Sequence, residues 1–153
     1  RGLGDVYKRQ ELESWLKNIS QELEAFKKNN PEKKVAPYAV NQIVHQSNTR
    51  LKIDVEMCVK YKAPIVITSL RPPAEVVEAV HSYGGLVFHD VINMRHAKKA
   101  ISQGVDGIIA VCAGAGGHAG TISPFALIKE IKDIYLNDPL IKIHLRSPGE
   151  GRR

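Results

Sequence analysis

From Glu11 to Lys28 apolar residues return every three or four positions, at Leu12, Trp15, Leu16, Ile19, Leu23 and Phe26, the period of a helix with one buried face. Asn29-Asn30-Pro31 ends it. A two-part unit then repeats. Val35 to Val44 (VAPYAVNQIV) is a β-rich run and predicts a strand. Asn48 or Thr49 is placed to cap the next helix, which carries Leu51, Ile53, Val55, Cys58 and Val59. Ala63 to Leu70 (APIVITSL) is a continuous apolar run and predicts a strand buried on both faces. Pro72-Pro73 opens a helix through Val76, Val77 and Val80 to Tyr83, and Gly84-Gly85 closes it. Leu86 to Val91 is the third strand, Asn93 to Gln103 the third crossover helix, and Val105 to Val111 the fourth strand. A glycine-rich loop follows. Ser123-Pro124 supplies an N-cap and a first-turn proline for a helix over Phe125 to Leu136, and Pro139 to Ile143 begins a fifth strand.

Buried strands alternating with amphipathic helices imply an α/β fold with a parallel sheet and right-handed crossovers. Spacing does not separate an open doubly wound sheet from an arc of a closed barrel. In both, the C-terminal strand ends and the loops after them carry the chemistry.

Composition narrows this. The 153 residues suit one domain but fall short of the roughly 250 of a complete (β/α)8 barrel. With 43% hydrophobic and 25% charged residues, the chain has a globular composition rather than a disordered one. No apolar run approaches the ~18 residues of a membrane span and no signal-peptide pattern is present, so the expected location is cytoplasmic. Two cysteines, Cys58 and Cys112, do not make a disulfide framework and are expected to be buried free thiols. The net charge of +6 is concentrated at the ends. Residues 1–10 set Arg1, Lys8 and Arg9 against Asp5, and residues 144–153 set Arg146, Arg152 and Arg153 against Glu150. What remains forms no basic stripe with interleaved aromatics, so no nucleic-acid partner is expected. Residues 1–10 resemble a translated sequencing adapter and residues 144–153 also read as non-native, which leaves 11–143 as the domain.

Four strand ends offer polar groups: Asn41, Gln42, His45 and Gln46; Thr68, Ser69 and Arg71; His89, Asp90 and Asn93; and Cys112 with the loop Gly114-Ala115-Gly116-Gly117-His118-Ala119-Gly120. That loop is the densest signal. Its glycines let backbone approach a ligand closely, and consecutive N–H groups can hold an anion or a flavin edge. His118 is a chemically reasonable general base there, because a neutral imidazole accepts a proton near physiological pH; the alternative is a histidine capping the next helix. The loop also looks like a variant dinucleotide fingerprint. Against that, it follows three βα units, and His144 stands where the fingerprint needs an acid. Cys112 reads as core. His89 and Asp90 are adjacent on a strand and point to opposite faces, so at most one serves a site. His89, His96 and His118 lack metal-ligand spacing. Asn41, inside a strand, favours an inward-pointing ligand contact.

The stretch Gly104-Val-Asp-Gly-Ile-Ile-Ala-Val-Cys-Ala-Gly-Ala-Gly-Gly-His-Ala-Gly120 resembles the signature of the nitronate monooxygenase (2-nitropropane dioxygenase) family, to which FMN-type enoyl-acyl-carrier-protein reductases are related. Leu86-Val-Phe-His-Asp-Val91 with His96, Ala97 and Lys98 resembles the family's preceding βα unit. The resemblance covers about residues 35 to 141. It implies a flavoprotein oxidoreductase with a TIM (β/α)8 barrel, of which the chain holds about strands three to six, with the start of a seventh, truncated at both ends. It implies FMN as cofactor, a nitronate or nitroalkane and O2 as substrates, and a fragment inactive by itself. His118 takes the position of the catalytic histidine. Ala115, Gly116 and Gly117 fall where backbone groups meet the flavin, and Asn41 resembles the asparagine that reaches it. Asp90 stands where many members place lysine or glutamine near FMN. The alternatives left open are an FMN enoyl reductase using NAD(P)H and a non-catalytic anion- or dinucleotide-binding module.

Overall fold

A computed structural model describes residues 3–115 and 120–135 of the chain. Helix α1 spans Leu3–Asn29 and is followed by β1 (Ala39–Val44), α2 (Leu51–Lys60), β2 (Ile65–Leu70), α3 (Ala74–His81), β3 (Leu86–Val91), α4 (Met94–Ile101), β4 (Gly107–Ala110) and α5 (Pro124–Tyr135). The four strands form one sheet in sequential order β1-β2-β3-β4, every pair parallel. This is a parallel βα stretch, as the alternation of strand and helix patterns predicts, and its sequential strand order is that of an arc of a TIM-type barrel, as the family resemblance implies.

The register divides the sheet cleanly. Val40, Val66 and Val87 align in one row, Gln42, Thr68, His89 and Ile108 in the next, and Val91 with Ala110 beyond them. These rows face the helices. Val66, Val80, Val87, Cys58 and Ala63 are fully buried there, with Val76 and Val77 beside them and Val40, Val44, Leu51 and Val55 packed around. A second cluster joins Val91 to Ala97 and Ala100 of α4. Each fully buried valine contributes about 1.5–3 kcal/mol relative to exposure. The opposite face carries Asn41, Ile43, Ile65, Ile67, Ser69, Leu86, Phe88, Asp90, Gly107 and Ile109. Helices cover the outside of a barrel, so this second face is the one that lines its interior. Phe88 lies over Gly107, where a Cβ would come within 2.1 Å of its ring.

Several element boundaries differ from the sequence reading, each for a physical reason. β1 begins at Ala39, not Val35, because Pro37 has no N–H for the ladder. Helix α2 has Arg50 at its N-cap with no side-chain cap bond. Asn48 instead ties strand to helix: its Nδ2 donates to the Ile43 carbonyl at 2.8 Å and its Oδ1 accepts from the Arg50 N–H at 3.1 Å. β4 keeps only Gly107–Ala110 of the run Val105 to Val111. Asn93 does cap α4, its Oδ1 accepting from the His96 N–H at 2.9 Å. The stripe on α1 is only partly covered: Leu16 is buried, whereas Trp15, Ile19 and Phe26 are exposed. The helix backbone runs back through the segment from Leu3 that the sequence reading set aside. The strand expected over 139–143 and the tail 144–153 lie outside the described residues.

Asp106, in the glycine–aspartate motif before β4, sits at the end of the sheet opposite the glycine loop. Its Oδ2 accepts from the Val87 N–H at 2.7 Å and from His81 Nε2 at 2.8 Å, while its own N–H donates to the Val87 carbonyl at 2.8 Å. The residue therefore sets where β4 joins β3. Removing the carboxylate strands a fully buried N–H, so Asp106→Ala is expected to cost about 1–3 kcal/mol of stability. Asp106→Asn, which keeps an acceptor oxygen, should lose less. Urea unfolding of the three proteins checks the order, and equal midpoints would show that Val87 has found another acceptor.

Candidate active site

Toward the C-terminal end of the strands, Ser69 of β2 and Asp90 of β3 meet on the barrel-lining face, and Asn41 of β1 stands on the same face one row earlier. Strand alternation places them there: Asn41 aligns with Ile67, two residues before Ser69 on the same face. Ser69 Oγ donates to Asp90 Oδ2 at 2.7 Å. Sequence reading singled out Asn41 and Asp90 and gave Ser69 no role. The missing signal was the register, which alone sets a β2 hydroxyl beside a β3 carboxylate. Around these polar groups the face is apolar, with Ile67 and Phe88 level with Asn41, Ile109 level with Asp90 and Ile65 one row earlier, all half-buried.

His89 goes the other way, as adjacent strand positions require. It is 3% exposed on the helix-covered face. Thr68 Oγ1 donates to the Phe88 carbonyl at 3.2 Å and lies 2.8 Å from His89 Nδ1. A hydroxyl has one hydrogen to give, so Thr68 accepts from Nδ1–H, and the neutral ring then carries its proton on Nδ1. Desolvation pushes the His89 pKa below its ordinary value; the neighbouring Asp90 opposes that shift and His96 adds to it.

The glycine loop leaves β4 through a closed neck. The Ala113 N–H donates to the Ile122 carbonyl at 2.9 Å, and the Ala115 N–H to the Cys112 carbonyl at 3.1 Å. Gly114 turns the chain at φ +90°. Gly120 is packed against β4's end so closely that a Cβ would stand 2.1 Å from the Val111 carbonyl oxygen, which only glycine permits. Ala115 was expected to offer backbone to a flavin. Its N–H is already engaged, which leaves its carbonyl for that purpose. Gly116, Gly117 and His118 lie outside the described residues. Both cysteines are free and buried. Burial, then the charge of Asp54, raise the Cys58 pKa to about 11, so it stays a thiol. Among the described residues no three His, Cys, Asp or Glu side chains group as a metal site, and no helix is long and apolar enough to cross a membrane.

The model of the nitronate monooxygenase family matches residues 14–141. A nitronate monooxygenase of Neurospora crassa is 35% identical over 65 residues, covering 39% of this chain and 16% of that protein. A (3aS,4S,5R,7aS)-5-hydroxy-7a-methyl-1-oxo-octahydro-1H-indene-4-carboxyl-CoA dehydrogenase of Rhodococcus jostii is 26% identical over 97 residues, covering 63% of this chain and 27% of the relative. Among solved structures, a mutant of FabK from Thermotoga maritima superposes with a TM-score of 0.64 at 23% identity, over 80% of this chain and 38% of that one. The chain thus spans well under half the length of the relatives it matches.

The buried neutral His89 makes stability depend on pH. Its folded-state pKa is depressed, so on acidification the unfolded chain takes up this proton first, and stability falls as pH drops through the ordinary imidazole range. Thermal unfolding from pH 7 to pH 5 should show a smaller decline in His89→Gln than in the parent. An equal decline would mean that His89 titrates as freely folded as unfolded.

Proposed function

The chain belongs to the nitronate monooxygenase family, and from that membership we propose that it forms one wall of an FMN site in an oxidoreductase that oxidises alkyl nitronates with O2. One observation supports this most directly. Ser69 and Asp90 are bonded on the barrel-lining face toward the strand ends from which the clamped glycine–histidine loop leaves, and Asn41 stands on that same face one row earlier.

The residues fit a flavin ring better than a whole flavin. The apolar floor of Ile67, Phe88 and Ile109 suits a flat aromatic ring system. Asn41 and Asp90 are polar groups suited to its edge, together with the Ala115 carbonyl and the backbone of Gly116 and Gly117. No lysine or arginine stands on this face of the four strands, so nothing there neutralises a phosphate. In barrels of this type that site usually lies in the loops after the last two strands, and the relatives are long enough to carry them. When bound, FMN supplies the redox chemistry between nitronate and O2.

The work of the chain's own side chains is positional and acid–base. His118 takes the α-proton of a neutral nitroalkane onto its imidazole, or holds the nitronate by a hydrogen bond once the proton is gone. Ser69 fixes the Asp90 carboxylate through its 2.7 Å bond, so that one oxygen stays directed while the other is available to a ligand donor. Asn41 contributes an amide that can donate and accept.

A second reading, an FMN enoyl reductase, keeps the same wall but uses NAD(P)H as reductant; a relative named a dehydrogenase rather than a monooxygenase keeps it open. In a longer protein carrying these residues with the rest of a barrel, O2 consumption with nitroethane or propionate-3-nitronate and no NAD(P)H is expected. His118→Ala should lower the nitroalkane rate by about 10²–10⁴-fold, the usual contribution of a general base, and the nitronate rate by less. Full nitroalkane activity in that variant removes His118 as the base. The 153-residue chain by itself is expected to bind FMN weakly or not at all, and stoichiometric yellow colour surviving gel filtration would overturn that.

A further inference from the structure

A cleft opens on the helix-covered side of the sheet, opposite the barrel-lining face. Its volume is about 460 Å³, and Arg71, His89, Arg95, His96 and Lys99 line it, with Leu70, Pro72 and Ala100. Three elements supply the polar groups. Arg71 leaves β2 through a turn in which Leu70 takes φ +77° and the Arg71 N–H donates to the Val44 carbonyl at 3.1 Å. A leucine in that left-handed region costs energy, and the bond to Val44 offsets that cost and fixes the turn that puts Arg71 at the mouth of the cleft. Arg95 and Lys99, four residues apart on α4, lie on one helix face.

The arrangement is electrostatically unfavourable as it stands. The lining holds no carboxylate. Among the described residues the ion pairs are Arg50–Asp54, Lys60–Glu13, His81–Asp106 and Lys129–Asp133, and none neutralises Arg71, Arg95 or Lys99. Asp90, next to His89 in sequence, points to the other face and is held by Ser69. Like charges four apart on a helix repel. Arg95 also sits in the first turn of α4, which contains no acid, where the helix dipole is positive and disfavours a cation. At the back, His89 is 3% exposed and spends Nδ1 on Thr68. Its Nε2 has no partner among the described residues. A multiply charged anion relieves all of these at once. It neutralises the three cations and suits the fork of an arginine, and a hydroxyl on a phosphate or on the group it carries can donate to the unprotonated Nε2.

We propose that this cleft is a binding site for a phosphate-bearing small molecule, with Arg71, Arg95 and Lys99 holding its diphosphate or terminal phosphate group. The volume lies within the range of small-molecule sites, so more than the phosphate fits. The site is separate from the flavin wall and does not depend on the reading of that wall, because the two occupy opposite faces of the sheet.

Isothermal titration of the full chain at low salt, with inorganic pyrophosphate, ADP and adenosine as probes, tests this without any flavin or turnover. Saturable binding of pyrophosphate or ADP, and not of adenosine, is expected. ADP binding much more tightly than pyrophosphate identifies a nucleotide as the source of the phosphates, and comparable binding identifies the phosphates alone. Arg95→Gln with Lys99→Gln should weaken binding about tenfold or more, since a hydrogen bond to a charged group is worth about 1.5–3 kcal/mol. Arg71→Gln should weaken it separately. All three side chains are solvent-exposed, and circular dichroism confirms that the variants fold. The chain's net charge is +6, so Lys28→Gln with Lys34→Gln controls for general attraction and should leave binding nearly unchanged. The proposal is overturned if pyrophosphate and ADP both fail to saturate, if adenosine matches ADP, or if both double variants lose affinity equally.

Discussion

The two-residue period of a β-strand, held in register across four parallel strands, is the constraint on which everything else here depends. It sends Gln42, Thr68 and His89 under the helices and Asn41, Ser69 and Asp90 to the barrel lining. A slip of one residue in any strand would exchange the two sets. Register is therefore protected at both ends of the sheet. At the N-terminal end Asp106 exchanges bonds with Val87. At the C-terminal end Asn48 clasps β1 to α2 and the Ala113–Ile122 bond closes the loop after β4. Valine packing between these clasps penalises any slip, because the alternative would place Asn41 or Asp90 in the apolar layer without partners.

Much of this was legible in the amino-acid pattern. The strands over 65–70 and 86–91 are apolar runs bounded by proline or glycine, and the helices between them carry their buried residues at three- and four-residue steps. Opposite orientations for His89 and Asp90 followed from adjacency alone. Element edges were less legible, because an edge is decided by hydrogen bonds rather than hydrophobicity. Pro37 shortens β1, and the pattern VAPYAV does not say so. The exposed Trp15 and Phe26 show the converse: a stripe with the right period predicts a helix, but not how much of it finds a neighbour.

Pairings between elements were illegible in principle. Ser69 and Asp90 are 21 residues apart in the chain, and nothing local in either segment refers to the other. The basic cleft is the same case. Arg71, His89 and Arg95 are ordinary residues on three elements until the α3 crossover sets β3 beside β2 and α4 returns over the sheet. Asp106 shows the opposite error: it belongs to the most recognisable motif in the chain, yet it serves the sheet's structural end while the histidine of that motif follows the strand's other end.

A consequence of the alternation is electrostatic. One step along β3, from His89 to Asp90, crosses from a cleft rich in cations to a lining face whose charged group is a carboxylate. The Asp90 charge opposes the desolvation that keeps His89 neutral, so the two faces are coupled through adjacent residues of one strand. A positive charge gained on either side stabilises the Asp90 anion, and an anion held in the cleft removes part of that stabilisation. Between His89 and Asp90 the sheet rather than water intervenes, which limits screening there, while the exposed cations of the cleft are screened by salt. Two sites can therefore sense each other without any movement of the backbone, and the sign is fixed. An anion in the cleft disfavours negative charge on the lining face, and a positively charged group against Asp90 makes the cleft more attractive to an anion.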